Sequence, residues 1–221
     1  MNDIVMRMCL FGLIALGSCK SNDEQSAIEP YDLKQDPQIM NNETSQPTKE
    51  VPKKEEVAII GGGCFWCTEA VFEMIEGVKS VVSGYAGGTI KNPTYQEICT
   101  GNTGHAEVIR IVYDPTVVSY QKILLIFAEC HDPTTLNRQG ADFGTQYRST
   151  IMYLSEEQKG NSIAWKKKLT AKYIDPVVTE IVEAPVFYPA EEYHQDYYKK
   201  NPNQGYCSFV IRPKLKKLNL E

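Results

Sequence analysis

The run Val57-Ala58-Ile59-Ile60-Gly61-Gly62-Gly63-Cys64-Phe65-Trp66-Cys67-Thr68-Glu69-Ala70-Val71-Phe72 changes character twice. Its first four residues are apolar and mostly β-branched, and read as a strand. Three glycines then permit a tight turn with exposed backbone N–H groups, and the stretch from Cys64 reads as a helix. The Cys64 thiol therefore lands in a first helical turn, where free N–H groups and the helix dipole favour an anion by about 0.3–2 kcal/mol. One pKa unit is worth about 1.4 kcal/mol, so a thiol near ~8.5 is expected to fall by roughly a unit. Most of it stays protonated at neutral pH, and the chemistry calls for a proton donor elsewhere in the site.

Cys64 and Cys67 form a C-x-x-C pair, close enough on a helix start for a redox disulfide. The same pair could be half of a zinc site completed by Cys99, Cys130, Cys207 or a histidine. Those cysteines are scattered singly, which weighs against zinc. The three glycines lack the spacing of a dinucleotide or P-loop phosphate cradle.

Further strands are expected at Val78–Tyr85, Ala106–Tyr113, Arg148–Leu154 and Val178–Val182, and helices at Cys64–Ile75, Ser119–Glu129, Glu156–Tyr173 and Glu191–Lys200. Ser119 and Ser155 stand at N-cap positions. The elements mix without strict βαβ alternation, which points to a compact α+β domain over 57–221. Trp165 with Lys166–Lys168 reads as an exposed helix face, and residues 214–221 as a plain chain end. Glu191-x-x-His194 has no second Glu-x-x-His to make a di-iron site, so no metal is expected.

Of the 221 residues, 1–18 read as a leader: Arg7, then the short apolar run Met8–Leu16, then Gly17-Ser18-Cys19. The end of this run resembles a bacterial lipoprotein cleavage box, with Cys19 the lipidated first residue. Residues 19–56 read as a disordered acidic tether, with nine acidic residues against five lysines, four prolines and one aromatic. These charges account for most of the net −5, leaving a nearly neutral domain without the basic stripe of a nucleic-acid binder. No apolar run approaches ~18 residues, so no spanning helix is expected and the membrane would be met through the lipid anchor alone. The protein is expected in the bacterial cell envelope, facing periplasm or exterior.

Several blocks carry a resemblance. Gly63-Cys64-Phe65-Trp66 after an apolar strand resembles the nucleophile motif of the peptide methionine sulfoxide reductase A family. In the family's order follow Thr94-Tyr95-Gln96-Glu97-Ile98-Cys99, Gly101-Asn102-Thr103-Gly104-His105-Ala106-Glu107-Val108 and His131-Asp132-Pro133-Thr134. Then come Arg138-Gln139-Gly140-Ala141-Asp142-Phe143-Gly144-Thr145-Gln146-Tyr147-Arg148-Ser149 and Phe187-Tyr188-Pro189-Ala190-Glu191-Glu192-Tyr193-His194-Gln195-Asp196-Tyr197. The resemblance implies a two-layer sandwich with a ferredoxin-like core and irregular flanking segments. It also implies thiol-dependent reduction of the S epimer of methionine sulfoxide, free and in proteins.

On this resemblance Cys64 is the nucleophile and Glu107 the acid, its pKa raised by burial, although alone Glu107 reads as a solvated strand residue. Tyr95 and Tyr147 are the hydroxyl donors to the sulfoxide oxygen, and Asp142 lines the same site. Phe65 and Trp66 form the apolar wall for the S-methyl group. Cys64 becomes a sulfenic acid that a second thiol condenses to a disulfide. No cofactor is implied; electrons come from a thioredoxin-like dithiol, and a monomer is expected. Cys207, in the turn-rich Asn201-Pro202-Asn203-Gln204-Gly205-Tyr206-Cys207, is expected to resolve first, with Cys67 resolving directly or relaying. Cys99 and Cys130 read as spectators, and His131 and His194 as structural hydrogen-bonding residues. Two other classes fit parts of the chain: a thioredoxin-like disulfide oxidoreductase, from the C-x-x-C junction, and a non-catalytic envelope binding lipoprotein with an inert Cys64.

Overall fold

Alternation along the first strand decides which side of the sheet becomes the core. In the computed structural model, which describes residues 55–221, strand β1 spans Glu56–Gly61. Ala58 and Ile60 join Ile109, Ile111, Tyr113 and Ile151 on one face, while Ile59 meets Ala86, Ala106, Val108 and Met152 on the other. The leader, Cys19 and all but the last two residues of the tether lie outside the described residues. Glu56 starts β1 and accepts a hydrogen bond from the Tyr113 hydroxyl at 2.8 Å, so ordered pairing begins one residue before the expected domain start.

After β1 come α1 (Phe65–Phe72), β2 (Val78–Ala86), α2 (Tyr95–Cys99), β3 (Ala106–Tyr113) and α3 (Tyr120–Cys130). A short hairpin, β4 (Arg138–Gln139) and β5 (Asp142–Phe143), precedes β6 (Thr150–Tyr153), α4 (Glu156–Thr170), β7 (Glu180–Glu183) and β8 (Tyr188–Pro189). The last elements are α5 (Tyr197–Lys200), a π-helical turn at Cys207–Ile211 and α6 (Arg212–Lys217). The large sheet has the order β7-β6-β1-β3-β2-β8, with β6–β7 parallel and the other pairs antiparallel. Its central four strands, β6-β1-β3-β2, have the ferredoxin-like arrangement, and α1, α3 and α4 supply the second layer. The expected α+β sandwich with irregular flanks is the observed fold.

Three local expectations are corrected. Glu191–Lys200 is not one helix: Glu192–His194 form a single 3-10 turn, Gln195 is extended and Asp196 is left-handed at φ 53. The break lets the Gln195 amide act as a strand partner, accepting from Ser83 N and donating to Ser83 O, both at 3.0 Å. Trp165 is buried rather than exposed, stacked on Phe127 with centroids 5.8 Å apart, because α4 packs that face on α3. Residues 214–221 belong to the core structure: Leu215 is fully buried and Glu221 accepts from the Tyr198 hydroxyl at 2.7 Å.

Burial makes Trp165 the structural anchor of α4. Trp165→Ala should cost about 3–5 kcal/mol of stability, against less than about 0.5 for Lys167→Ala on the exposed face, read from denaturant midpoints.

Candidate active site

The glycine turn works by close approach. A β-carbon on Gly61 would stand 2.5 Å from the Glu107 carbonyl oxygen, and Gly63 takes a positive φ of 87 that favours glycine. The turn thereby lays the start of α1 against the first residues of β3. Cys64 is the residue before the first helical turn, half-buried, and Cys67 lies one turn on at 2% exposure. Thus Cys64 faces the approach and Cys67 stands behind it.

Glu107 sits on the helix-facing side of β3, in register with Ile109 and Ile111, and is 2% exposed. Its Oε2 accepts the Phe65 backbone N–H at 3.1 Å, and burial, reinforced by the charge of Asp142, pushes its carboxyl up to about 8. One carboxyl oxygen is tied to the helix start, which leaves the protonated oxygen as a donor. The solvated-face reading of Glu107 fails because the alternation of β3 turns residue 107 inward.

The two thiols titrate as a pair. Burial, then Cys67 and Glu107, push Cys64 up rather than down, so the lowering expected from the helix start alone is outweighed. Cys67 is drawn down to about 6, mainly by hydrogen bonding with Cys64, with Lys214 and Tyr206 adding to it. Within the pair, ionisation is favoured at Cys67 over Cys64.

Tyr95 and Tyr147 are half-buried, and both hydroxyls feel the charge of Glu107; burial raises both well above the usual phenol value, so they are donors. Tyr95 is set by Glu191, whose carboxylate accepts the Tyr95 N–H and the Tyr85 hydroxyl, each at 2.8 Å. Asp142, from β5, accepts from the Tyr206 hydroxyl at 2.8 Å. Phe65 is 1% exposed, its ring backed by Tyr85 and His194, whereas Trp66 is partly exposed and stacked on Tyr197 at 3.6 Å. Trp66 is thus the accessible ring of the two, with Phe65 buried. Cys207 is fully buried in the π-helical turn, within electrostatic reach of Cys67.

His194 receives the Trp66 indole N–H on Nδ1 at 3.1 Å, and burial lowers its pKa. His131 is bonded to Phe127 O at 2.6 Å and Ser149 Oγ at 2.7 Å and is lowered to about 4, so it is neutral. Both hold structure, as expected. Cys130 is buried and raised to about 12, an inert thiol; Cys99 is exposed at the end of α2. Sequence reasoning missed Tyr206, Glu69 and Tyr197. Glu69 is buried, accepts from Ser83 Oγ at 3.1 Å and Tyr197 N at 3.2 Å, and is raised to about 7 by burial. Tyr206 and Tyr197 lie in the 201–207 and 187–197 segments, but nothing local marks their partners.

A cysteine pair at a strand–glycine–helix junction, beside a carboxyl that keeps its proton at neutral pH, defines a thiol-dependent oxidoreductase site on a ferredoxin-like sheet. The chain belongs to the peptide methionine sulfoxide reductase family, whose model matches residues 56–221. Peptide methionine sulfoxide reductase MsrA 1 of Rhodopirellula baltica is 56% identical over 165 residues, which is 75% of this chain and 86% of that protein. The MsrA of Sulfolobus acidocaldarius is 57% identical over 162 residues, covering 73% and 92%. Among solved structures, reduced Mxr1 of Saccharomyces cerevisiae superposes with a TM-score of 0.67 at 34% identity, covering 72% of this chain and 92% of that one. Methionine sulfoxide reductase A of Corynebacterium diphtheriae gives 0.63 at 38% identity, covering 70% and 78%.

The two titrations bracket activity. Below about 6 the cysteine pair keeps both protons and lacks a thiolate; above about 8 Glu107 has lost the proton it donates. A plot of kcat/KM against pH should be a bell between these values, and Glu107→Gln should lower it about 10²–10⁴-fold with the alkaline limb removed.

Proposed function

We propose that the chain reduces the S epimer of methionine sulfoxide, free and in proteins, with Cys64 as nucleophile and Glu107 as acid. The observation that carries this reading is the protonated, buried Glu107 carboxyl of β3, bonded to the first residue of α1 between the two thiols in sequence. Cys64 Sγ attacks the sulfoxide sulfur as its proton passes to Cys67, and Glu107 gives its proton to the sulfoxide oxygen. Tyr95 and Tyr147 donate to that oxygen, Asp142 lines the site, and Trp66 backed by Phe65 receives the S-methyl group. Methionine leaves as the thioether and the oxygen stays on Cys64 as a sulfenic acid.

Cys67 resolves first and Cys207 second, the reverse of the order expected from sequence. The support for this order is the direct interaction of Cys64 with Cys67, while Cys207 is within electrostatic reach of Cys67. A thioredoxin-like dithiol then reduces the enzyme, and no cofactor takes part. The catalytic domain is the segment from 57 onward, working as a monomer at the end of the 19–56 tether. Cys19, lipidated after removal of residues 1–18, anchors it in the cell envelope, where it repairs oxidised envelope proteins; the lipoprotein-like box supports this assignment.

Dithiothreitol-driven reduction of the two separated epimers tests the reaction. The S epimer alone should turn over, and Cys64→Ser should abolish it; insulin disulfide reduction without sulfoxide turnover would instead identify a disulfide oxidoreductase. For the anchor, labelled palmitate should enter the wild-type chain in bacteria and be lost in Cys19→Ala.

A further inference from the structure

Sulfoxide reduction at Cys64 moves no proton through Tyr206, although its hydroxyl stands between two groups of the site. The Tyr206 hydroxyl donates to Asp142 Oδ2 at 2.8 Å and lies 3.7 Å from Cys67 Sγ. A phenol has one proton, and here it is committed to Asp142. The contact with sulfur is therefore made by the phenol oxygen as acceptor and by the Cys67 S–H, whenever Cys67 is a thiol. The ring is held edge-on to Trp66, with centroids 5.8 Å apart. The arrangement is a directional chain from a buried sulfur, through a phenol, to a half-buried carboxylate.

We propose that Cys67–Tyr206–Asp142 is the proton relay of the resolving step, with Tyr206 as the residue that carries the proton. The relay rests on the reading of Cys67 as the first resolving thiol. The need for it arises from the first step, which leaves Cys67 as a thiol after it has taken the Cys64 proton. Cys64 then carries oxygen, so the S–H donor that chiefly favoured the Cys67 thiolate is gone. The other groups facing Cys67 are Glu107, Asp142, Cys130, Cys207 and Lys214; the Lys214 charge favours the thiolate, whereas Asp142 opposes it.

In the resolving step the Cys67 proton moves to Tyr206 as the Tyr206 proton moves to Asp142. The Cys67 sulfur bonds to the Cys64 sulfur, and the Cys64 S–O bond breaks with its electron pair leaving on oxygen. That hydroxide takes up the relayed proton and departs as water. The sulfenic sulfur is reduced and the thiol sulfur oxidised, both to the disulfide level, so no outside oxidant or reductant is needed.

The test is rapid quenching of the full-length reduced chain, wild type and Tyr206→Phe, against a peptide carrying the S sulfoxide, from pH 6 to 9. Unresolved sulfenic acid is trapped with dimedone and disulfides are mapped by mass spectrometry. First-turnover methionine should reach the wild-type yield in Tyr206→Phe, which shows that the variant is folded, and its rate is measured beside that of the disulfide so that the two steps are separated. Formation of the Cys64–Cys67 disulfide should be about 10–100-fold slower at pH 7 and should recover toward pH 9, where the thiol ionises unaided. Equal resolving rates at every pH, or a slowing that does not change with pH, would overturn the relay while leaving Cys67 as the resolver. A Cys64–Cys207 bond as the first disulfide of the wild type would overturn the reading beneath it as well.

Discussion

A helix start has N–H groups without partners, and this site is organised around who supplies them. Phe65, the first residue of α1, donates its N–H to Glu107; Tyr95, the first of α2, donates to Glu191; Tyr197, the first of α5, donates to Glu69. Each acceptor comes from another element, 42, 96 and 128 residues away in the chain. Each donor is an aromatic residue of the site or of its wall. The same bond that satisfies a helix end therefore also fixes a working side chain, and the strand layer carries the acceptor that matters most, Glu107 on β3.

These three carboxyl groups show why one of them is an acid. All accept a backbone N–H, which favours the charged form and near a helix dipole is worth roughly 0.3–2 kcal/mol. Burial opposes it. Glu191 is the most solvated of the three and its pKa is lowered, with its bonds to Tyr95 and Tyr85 prevailing over burial. Glu69 is buried but receives several donors and reaches about 7, whereas Glu107 has the single Phe65 bond and the charge of Asp142 nearby and reaches about 8. The acid of the site is thus the carboxyl with the fewest bonds among these three.

Much of this was legible in the sequence because it is local. The β-branched run of β1, the glycine turn, the serine caps of α3 and α4 and the strand alternation of β2 and β3 each follow from neighbours in the chain. Their donors are at hand: Ser119 Oγ accepts from Lys122 N and Ser155 Oγ from Gln158 N, both at 3.2 Å. Helix α2 is local too, capped by Thr94 and Glu97, but its five residues are too short for apolar periodicity to reveal. The break at Gln195 was not legible, since what stops the helix is the edge of β2, 112 residues away. The same holds for Tyr206, whose partners Asp142 and Cys67 lie 64 and 139 residues off.

The titration of the thiols shows where local physics is outvoted. Reasoning from the helix start alone lowers Cys64, and that argument is sound for an exposed thiol. Here burial, a second thiol and a neighbouring carboxyl raise Cys64, while hydrogen bonding between the sulfurs favours the charge on Cys67. Cys67 has Cys64 and the charge of Lys214, the latter from the C-terminal segment. The C-terminal segment therefore does more than cover the core: through Lys214 it favours the charged form of Cys67. An accessible thiol in front, with a charged thiol behind it as its proton acceptor, keeps Cys64 ready to attack while giving solvent oxidants little bare thiolate to meet.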